Sequence, residues 1–248
     1  MSHENWIWGK HSVELCLQER PELILELFAQ RDRRGVESEN KIQGLVDELS
    51  LKVNTVFKFP KHIEEKRHQG WAARIKSFPV QWWRDFKEDY EGGKLEKKAL
   101  RVLVLDRVQD PQNFGAILRS AAAFAFHYVV VPTREQCPLT GAVSVASAGQ
   151  LFNVQIVQAD SLKQVIEFFH KEAYLSCALK VGAESFASFV ASSEQVKEKL
   201  ILVLGSEGKG LKPSLEELIQ KLLGIEMENG VESLNVSTSA AIAMHALR

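Results

Sequence analysis

The chain has 248 residues, 45% of them hydrophobic, which is enough for one large domain or two small ones with an ordinary core. Its formal net charge of −1 excludes a global field that attracts polyanions, so a nucleic-acid partner would need a local basic patch. The three cysteines are far apart and lack zinc spacing, which indicates reduced thiols and no metal site. The sequence shows no signal-peptide pattern and no apolar run of about 20 residues, which predicts a cytoplasmic protein.

Residues 1–76 have the pattern of a small α/β unit. The predicted elements are helices over 12–18, 21–30 and 35–50 and strands over 53–57 and 70–75. The second helix is predicted because Pro21 is favourable at a first helical position and PELILELFAQ continues from it. This unit is followed by a change in composition.

Residues 77–98 are predicted to be a linker with partial structure, because they are rich in charged and aromatic residues and show no steady period. Trp82 and Trp83 in this segment could stack on nucleobases. The interpretation favoured here is that they hold the linker against a domain surface, since aromatic side chains mainly supply buried area.

Residues 99–248 predict a doubly wound α/β domain with a parallel sheet, because strands and helices alternate throughout. The predicted strands are 100–105, 128–131, 154–157, 173–179, 201–204 and 223–227, and the predicted helices are 113–124, 139–148, 161–171, 213–223 and a final helix after SLNVS. A ligand of such a domain binds beyond the carboxyl ends of the strands, so the loops at those ends are the candidate site.

The first of these loops is LDRVQDPQNFGAILR, residues 105–119. Asp110 and Pro111 predict a turn, and Asn113 is a candidate helix cap. Arg119 follows nearly two helical turns later, and a guanidinium near a strand end suits a phosphate. The alternative is a plain cap and a surface arginine, and this loop alone does not decide between them.

The second loop, GSEGKGLKP over residues 205–213, has glycines that allow a ligand to approach the backbone closely. It has neither the P-loop pattern nor the G-x-G-x-x-G order of dinucleotide-binding proteins. A nicotinamide-dependent oxidoreductase stays an alternative because Glu226 and Glu228 follow about 20 residues later, but the order of the glycines disfavours it.

The third loop, ESLNVSTSAA over residues 232–241, carries more hydrogen-bonding groups than one helix cap requires. Those groups belong to Ser233, Asn235, Ser237, Thr238 and Ser239. All three loops follow strands of one predicted sheet, so they can converge on one pocket, and that convergence favours a functional site over three separate caps.

The motifs DPQNFGAILRSAAAF, LVLGSEGKGL and IEMENGVESLNVSTSAAIA resemble those of the SpoU (TrmH-like) RNA 2′-O-ribose methyltransferases of the SPOUT superfamily, over about residues 100–248. WGKHSVELCL and HQGWAARI resemble, more weakly, the L30e-like substrate-binding domain of the subgroup that methylates a guanosine in 23S ribosomal RNA. The resemblance implies a deep trefoil knot, bound S-adenosylmethionine and a homodimer with its sites near the subunit interface.

Carried over by motif, the resemblance implies a cofactor-contacting set and a catalytic, RNA-facing set. The cofactor set is Leu204, Gly205, Ile225, Met227 and Leu234, and the catalytic set is Asn113, Arg119, Glu207, Ser233 and Asn235. Ser237 or Thr238 would then cap the last helix. The family resemblance makes Arg119 a general base, but a guanidinium keeps its proton in proteins, so an orienting and electrostatic role is favoured.

Basic residues near the N-terminus are the candidates for RNA phosphate contacts, namely Lys10, His11, Arg33, Arg34 and Arg74. Each of them alone is more simply a solvated charge, because most charged residues are exposed. The extra N-terminal unit favours ribosomal RNA as the substrate, with transfer RNA or a catalytically silent RNA-binding homologue as alternatives.

Three positions depart from the family pattern. Glu226 replaces a usual proline, Ala125 a usual glycine and Gln150 a usual small residue. Glu226 places an acid beside the cofactor loop, where it could weaken cofactor binding. None of the three removes a catalytic residue implied by the resemblance, so an active enzyme is expected.

Overall fold

A computed structural model of the protein describes residues 5–31, 40–95, 100–192 and 199–247. Its first part is a four-stranded sheet with three helices. The elements are β1 (Asn5–Trp8), α1 (Lys10–Glu19), β2 (Ile24–Gln30), α2 (Asn40–Glu48), β3 (Val53–Val56), α3 (Lys61–Glu64) and β4 (Trp71–Ile75). The strand order is β1-β4-β2-β3; β2 and β3 are parallel, and the other neighbours are antiparallel.

The predicted helix over 21–30 is wrong. Pro21–Leu23 form one 3-10 turn, and Ile24–Gln30 are strand β2. This strand pairs with β3 on one side and β4 on the other, and it buries Leu27. Two long-range ladders therefore outweigh the helical preference of Leu and Glu residues, which is small for each residue.

The second part is a seven-stranded sheet in which every neighbouring pair is parallel. Its elements are β5 (Gln81–Trp82), α4 (Trp83–Glu91), β6 (Arg101–Leu105), α5 (Pro111–Ala123), β7 (Tyr128–Pro132), α6 (Gly141–Ala146), β8 (Gln155–Ala159), α7 (Leu162–Lys171), β9 (Leu175–Ser185), α8 (Phe186–Ser192), β10 (Leu200–Leu204), α9 (Pro213–Glu216), β11 (Lys221–Gly224) and α10 (Val236–Ala246). The order is β11-β9-β10-β6-β7-β8-β5.

Both faces of the larger sheet are covered. Leu103 and Leu105 of β6 belong to one hydrophobic cluster, whereas Val102 and Val104 of the same strand belong to another. A strand buried on both faces reads as a continuous apolar run, and this is why β6 was predictable. The prediction of an α/β fold with a parallel sheet is confirmed, although the helix predicted over 213–223 ends at Glu216 and strand β11 begins at Lys221.

The partial structure predicted for the linker is strand β5 and helix α4. β5 pairs in parallel with β8 and forms the outer edge of the larger sheet. The Trp83 ring lies 5.3 Å from the rings of Phe86 in the same helix and of Phe168 in α7, so this tryptophan does hold the segment against α7. Trp82 does not, because 52% of its surface is exposed.

The two sheets share one hydrophobic cluster. That cluster includes Ile7 and Val13 from the first part as well as Leu103 and Val143 from the second. At the contact, a Cβ on Gly141 would lie 2.0 Å from the Trp8 ring, so only glycine fits there. The buried hydroxyls of Ser12 and Ser144 hydrogen-bond across the same contact.

Candidate active site

A cavity of about 630 Å³ lies at the carboxyl ends of β10 and β11 and beside the middle of β9. The segments that line it are residues 179–181, 204–211, 216, 222, 225, 227, 233–236 and 239. All five residues predicted to contact a cofactor line it: Leu204, Gly205, Ile225, Met227 and Leu234. Glu207, Ser233 and Asn235 of the predicted catalytic set line it as well. The second and third loops therefore converge on one cavity.

The loop after β10 folds back tightly on itself. The backbone N–H groups and carbonyls of Ser206 and Gly210 exchange two hydrogen bonds, of 3.1 and 3.0 Å. A Cβ on Gly205 would lie 2.2 Å from the carbonyl carbon of Gly210 and 2.3 Å from the Leu211 nitrogen. Contacts this short with backbone cannot be relieved by a side-chain rotation, so the turn requires glycine at position 205.

A buried carboxylate joins this loop to the loop after β6. Asp106 is 1% exposed, and its two oxygens accept hydrogen bonds of 3.0 Å from the Arg107 guanidinium. The same carboxylate accepts a 3.0 Å bond from the backbone nitrogen of Lys212. The hydrogen bonds to this carboxylate, together with its negative charge, raise the pKa of Arg107. The sequence reasoning missed this pair, and its signal is an acid placed directly after the apolar run Val102–Leu105.

A chain of hydrogen bonds connects all three predicted loops. The Asn113 Nδ2 donates to Glu207 Oε1 at 2.6 Å, and the Asn235 Nδ2 donates to Asn113 Oδ1 at 2.9 Å. Asn235 Oδ1 in turn accepts from the backbone nitrogen of Ser237 at 2.8 Å. Each amide donates at one end and accepts at the other, so the carboxylate fixes the orientation of both asparagines. Bonds aligned in this way polarise one another.

Two predicted helix caps are wrong. Helix α5 is capped by Asp110, which accepts from the backbone nitrogens of Gln112 and Asn113, so Asn113 lies inside the first turn. Helix α10 is capped by Asn235 and not by Ser237 or Thr238. Asn235 therefore caps α10 with its oxygen and reaches Asn113 with its nitrogen. Because Asp110 caps α5, the Asn113 side chain is available to contact Glu207.

Arg119 does not line the cavity. It is exposed on α5, and it has no hydrogen bond or ion pair within the part of the chain that the structure describes. Six residues of helix separate it from Asn113, a rise of about 9 Å. Its guanidinium is therefore available to a ligand outside the cavity, whereas Asn113 acts on the cavity through Glu207 and Asn235.

Two of the predicted RNA-contacting residues lie beside carboxylates. The Arg74 Nε donates to Glu26 at 2.6 Å, and the His11 ring lies 3.8 Å from the Glu14 carboxylate. Lys10 is half-buried at the start of α1. Arg33 and Arg34 lie outside the described residues. Their roles in RNA binding stay predictions.

The residues that depart from the family pattern do not line the cavity. Ile225 and Met227 line it, whereas Glu226 between them is exposed and lies outside the lining. Ala125 has a φ of 60°, a left-handed conformation that favours glycine. Gln150 opens a short 3-10 turn after Gly149. The acid at position 226 therefore does not enter the cavity.

Two further properties concern the described residues, 5–31, 40–95, 100–192 and 199–247. Among them there is no group of three or more His, Cys, Asp or Glu side chains that could hold a metal ion. No helix within these ranges is long and apolar enough to cross a membrane.

Comparison with known proteins places these features among RNA-modifying enzymes. A family model described as the SpoU rRNA Methylase family matches residues 100–245. The 23S rRNA (guanosine-2′-O-)-methyltransferase RlmB of Shewanella oneidensis is 30% identical over 246 residues, which cover 98% of this chain and 96% of that protein.

Two solved structures show the same fold at low identity. The SpoU methyltransferase AviRb from Streptomyces viridochromogenes, in complex with AdoMet, has a TM-score of 0.74 at 16% identity and covers 98% of this chain and 88% of its own. The TrmH/SpoU tRNA modifying enzyme of A. aeolicus has a TM-score of 0.53 at 22% identity, and the match covers 66% of this chain and 81% of that one.

Proposed function

Since the chain belongs to the SpoU rRNA methylase family, we propose that it is an enzyme that transfers a methyl group from S-adenosylmethionine to a ribose 2′-hydroxyl of RNA, at a guanosine of 23S ribosomal RNA. One observation carries the proposal. The second and third predicted loops form a single cavity, and the Asn113–Glu207–Asn235 hydrogen bonds join the first loop to it. Arg119 lies on helix α5, which begins in that first loop.

The residues present fit S-adenosylmethionine. A cavity of about 630 Å³ is within the range of roughly 300–1,000 Å³ typical of small-molecule sites. Ile225, Met227 and Leu234 provide apolar surface for an adenosyl group, and the tight turn at Gly205 presents backbone polar groups beside them. When bound, S-adenosylmethionine supplies a methyl group on a positively charged sulfur.

The chain's own residues orient the hydroxyl and stabilise the charge that develops on it. A ribose hydroxyl is a weak nucleophile until its proton is lost, so positioning and electrostatic stabilisation are the main requirements. Arg119 binds an RNA phosphate and stabilises the developing alkoxide with its positive charge. Glu207 and Asn235 position the loops through Asn113, and Ser233 completes the hydrogen bonds of the pocket.

The N-terminal sheet favours ribosomal over transfer RNA. The relative named for 23S rRNA covers 98% of this chain, whereas the A. aeolicus tRNA modifying enzyme covers 66%. We assign residues 1–76 to an L30e-like RNA-binding domain, 77–98 to a connecting segment and 99–248 to the methyltransferase domain. The segments around residues 205–211 and 225–235 form a deep trefoil knot in this proposal, and the enzyme acts in the cytoplasm as a homodimer.

The test is transfer of tritium from labelled S-adenosylmethionine to bulk ribosomal RNA and, separately, to transfer RNA. We expect label in ribosomal RNA that is lost in Arg119→Ala, while calorimetry shows unchanged S-adenosylmethionine binding. Label only in transfer RNA would keep the chemistry and overturn the substrate. If the wild-type protein binds S-adenosylmethionine but labels neither RNA, a silent RNA-binding homologue would be favoured.

A further inference from the structure

Trp82 is an exposed tryptophan that the proposed reaction does not use. It is the last residue of β5, the outermost strand of the larger sheet, and 52% of its surface is exposed. Its neighbour Trp83 is packed against Phe86 and Phe168 and accounts for the attachment of the segment. An exposed indole offers a flat π face to a ligand, so Trp82 is a candidate contact for a nucleobase.

A cavity of about 440 Å³ lies beside this indole. The residues that line it are Trp82, Trp83, Arg84, Gln158, Asp160, Ser161 and Gln164. It is formed where β5 and β8 end and α7 begins. It is separate from the proposed methyl-transfer cavity, with which it shares no lining residue.

Some polar side chains of this cavity already have hydrogen-bond partners within the protein, and others are available to a ligand. The Ser161 Oγ accepts from the backbone nitrogen of Gln164 and caps α7, and Asp160 accepts a 2.9 Å bond from the Thr133 hydroxyl. The side-chain amides of Gln158 and Gln164 have no hydrogen-bond partner within the described ranges of the chain. An open indole face beside two available amides matches a nucleobase, which has a π face and an edge of donors and acceptors.

The cavity lies on the same edge of the sheet as the proposed active site. β5 and β10 belong to one parallel sheet, so their carboxyl ends meet the same side. Four strand intervals separate them, which is about 19 Å at about 4.8 Å each. At about 3.4 Å per nucleotide, the rise of a stacked strand in B-form DNA, a stacked single strand covers that distance in about six nucleotides.

A cation lies along this path. Arg134 follows β7, which stands between β6 and β8 in the sheet. It is exposed and makes no ion pair with any residue that the structure describes. The neighbouring cation Lys212 differs, since it pairs with Glu135 at 2.6 Å. An unpaired guanidinium between the two cavities suits a backbone phosphate.

We propose that Trp82 stacks on an unpaired nucleobase of the RNA substrate, with Gln158 and Gln164 bonding the base edge and Arg134 contacting the connecting phosphate. The proposal rests on the proposed function, because the base belongs to the RNA whose ribose is methylated about 19 Å away, four strand intervals of about 4.8 Å. The occupant is a base outside a duplex, since a paired base cannot offer its face to the indole.

The test measures binding of a fluorescently labelled six-nucleotide oligoadenylate by anisotropy. We expect Trp82→Ala to raise the dissociation constant about 5- to 150-fold, as when other base-stacking aromatics are replaced by alanine. Trp82→Phe keeps a stacking face and should restore most of the affinity. Leu25→Ala is the matched control, because Leu25 is 47% exposed on the other sheet, and it should bind as the wild type does.

Equal binding by Trp82→Ala and the wild type would overturn the proposal. Weak binding by both Trp82→Ala and Trp82→Phe would also overturn it, in favour of a structural role. Methyl transfer to ribosomal RNA is measured in parallel. If the wild-type protein methylates ribosomal RNA and Trp82→Ala has the same KM for that RNA, only the base-stacking site is refuted. If the wild-type protein transfers no methyl group but its oligonucleotide binding depends on Trp82, only the reaction is refuted.

Discussion

Gly205→Ala tests the geometry of the proposed cofactor loop most directly. The new methyl group would lie 2.2 Å from the Gly210 carbonyl carbon and 2.3 Å from the Leu211 nitrogen. Ordinary van der Waals contact begins near 3.4 Å, so the returning strand of the loop must retreat by about 1.2 Å. The atoms it meets belong to the backbone, and no rotamer change can relieve the overlap.

The magnitude follows from what this movement breaks. The two hydrogen bonds between Ser206 and Gly210 close the loop, and each is worth about 0.5–1.5 kcal/mol net. Losing both costs about 1–3 kcal/mol, or about 5- to 150-fold in affinity for a ligand that needs the closed loop. We therefore expect the dissociation constant for S-adenosylmethionine to rise by that factor.

Calorimetric titration with S-adenosylmethionine measures the effect, and circular dichroism shows whether the variant is folded. Gly44→Ala is the control, because it makes the same chemical change in α2, where an added Cβ meets nothing within 4 Å. It should leave affinity unchanged and stabilise the helix by up to about 1 kcal/mol. A folded Gly205→Ala protein that binds within twofold of the wild type would refute the argument from close packing.

Three further outcomes are expected. Asp106→Ala leaves the largely buried Arg107 guanidinium without its carboxylate, so the free energy of unfolding in urea should fall by about 3 kcal/mol; a loss below about 1 kcal/mol would contradict a stabilising role of the pair. Ala125→Gly relieves a φ of 60° and should raise that free energy by about 1 kcal/mol, and an unchanged urea midpoint would argue against strain there. Burial raises the pKa of the Cys16 and Cys177 thiols to about 12 and that of Cys137 to about 11, so at pH 8 the folded protein should react slowly with a thiol reagent and the urea-unfolded protein should react at three sites. Because these folded-state pKa values exceed the ordinary 9.0, the unfolded protein loses its thiol protons first, so the free energy of unfolding should fall as the pH rises from 9 to 12. Rapid labelling of the native protein would contradict the burial of the three thiols.

Strands that show a local apolar pattern were predictable from the sequence. Strands that form only because distant segments pair with them were not. Strand β6 is apolar on both faces from Val102 to Leu105 and could be predicted as a central parallel strand. Ile24–Gln30 looked helical because nothing within it reveals the ladders to β3 and β4. Asn5–Trp8 and Gln81–Trp82 are too short to show a period, and only pairing with β4 and β8 makes them strands.

In the candidate site, too, features set by local motifs were predictable and features set by distant contacts were not. The motifs brought the lining residues of the cavity together, because loops that follow parallel strands meet at one edge of a sheet. The sequence did not reveal that Asp106 joins two of those loops, since its partner Lys212 is 106 residues away. Nor could it separate Trp82 from Trp83, because the difference in exposure arises from the position of β5 at the sheet edge.

The close contact of the two sheets at Gly141 and Trp8 determines which molecule must change shape when RNA binds. The shared hydrophobic cluster and the Ser12–Ser144 bond leave no room for one sheet to turn on the other. The conformational entropy lost on complex formation is then mainly that of the RNA. An RNA that already holds its target nucleotide in an open loop should bind more tightly than one that must first unpair a helix.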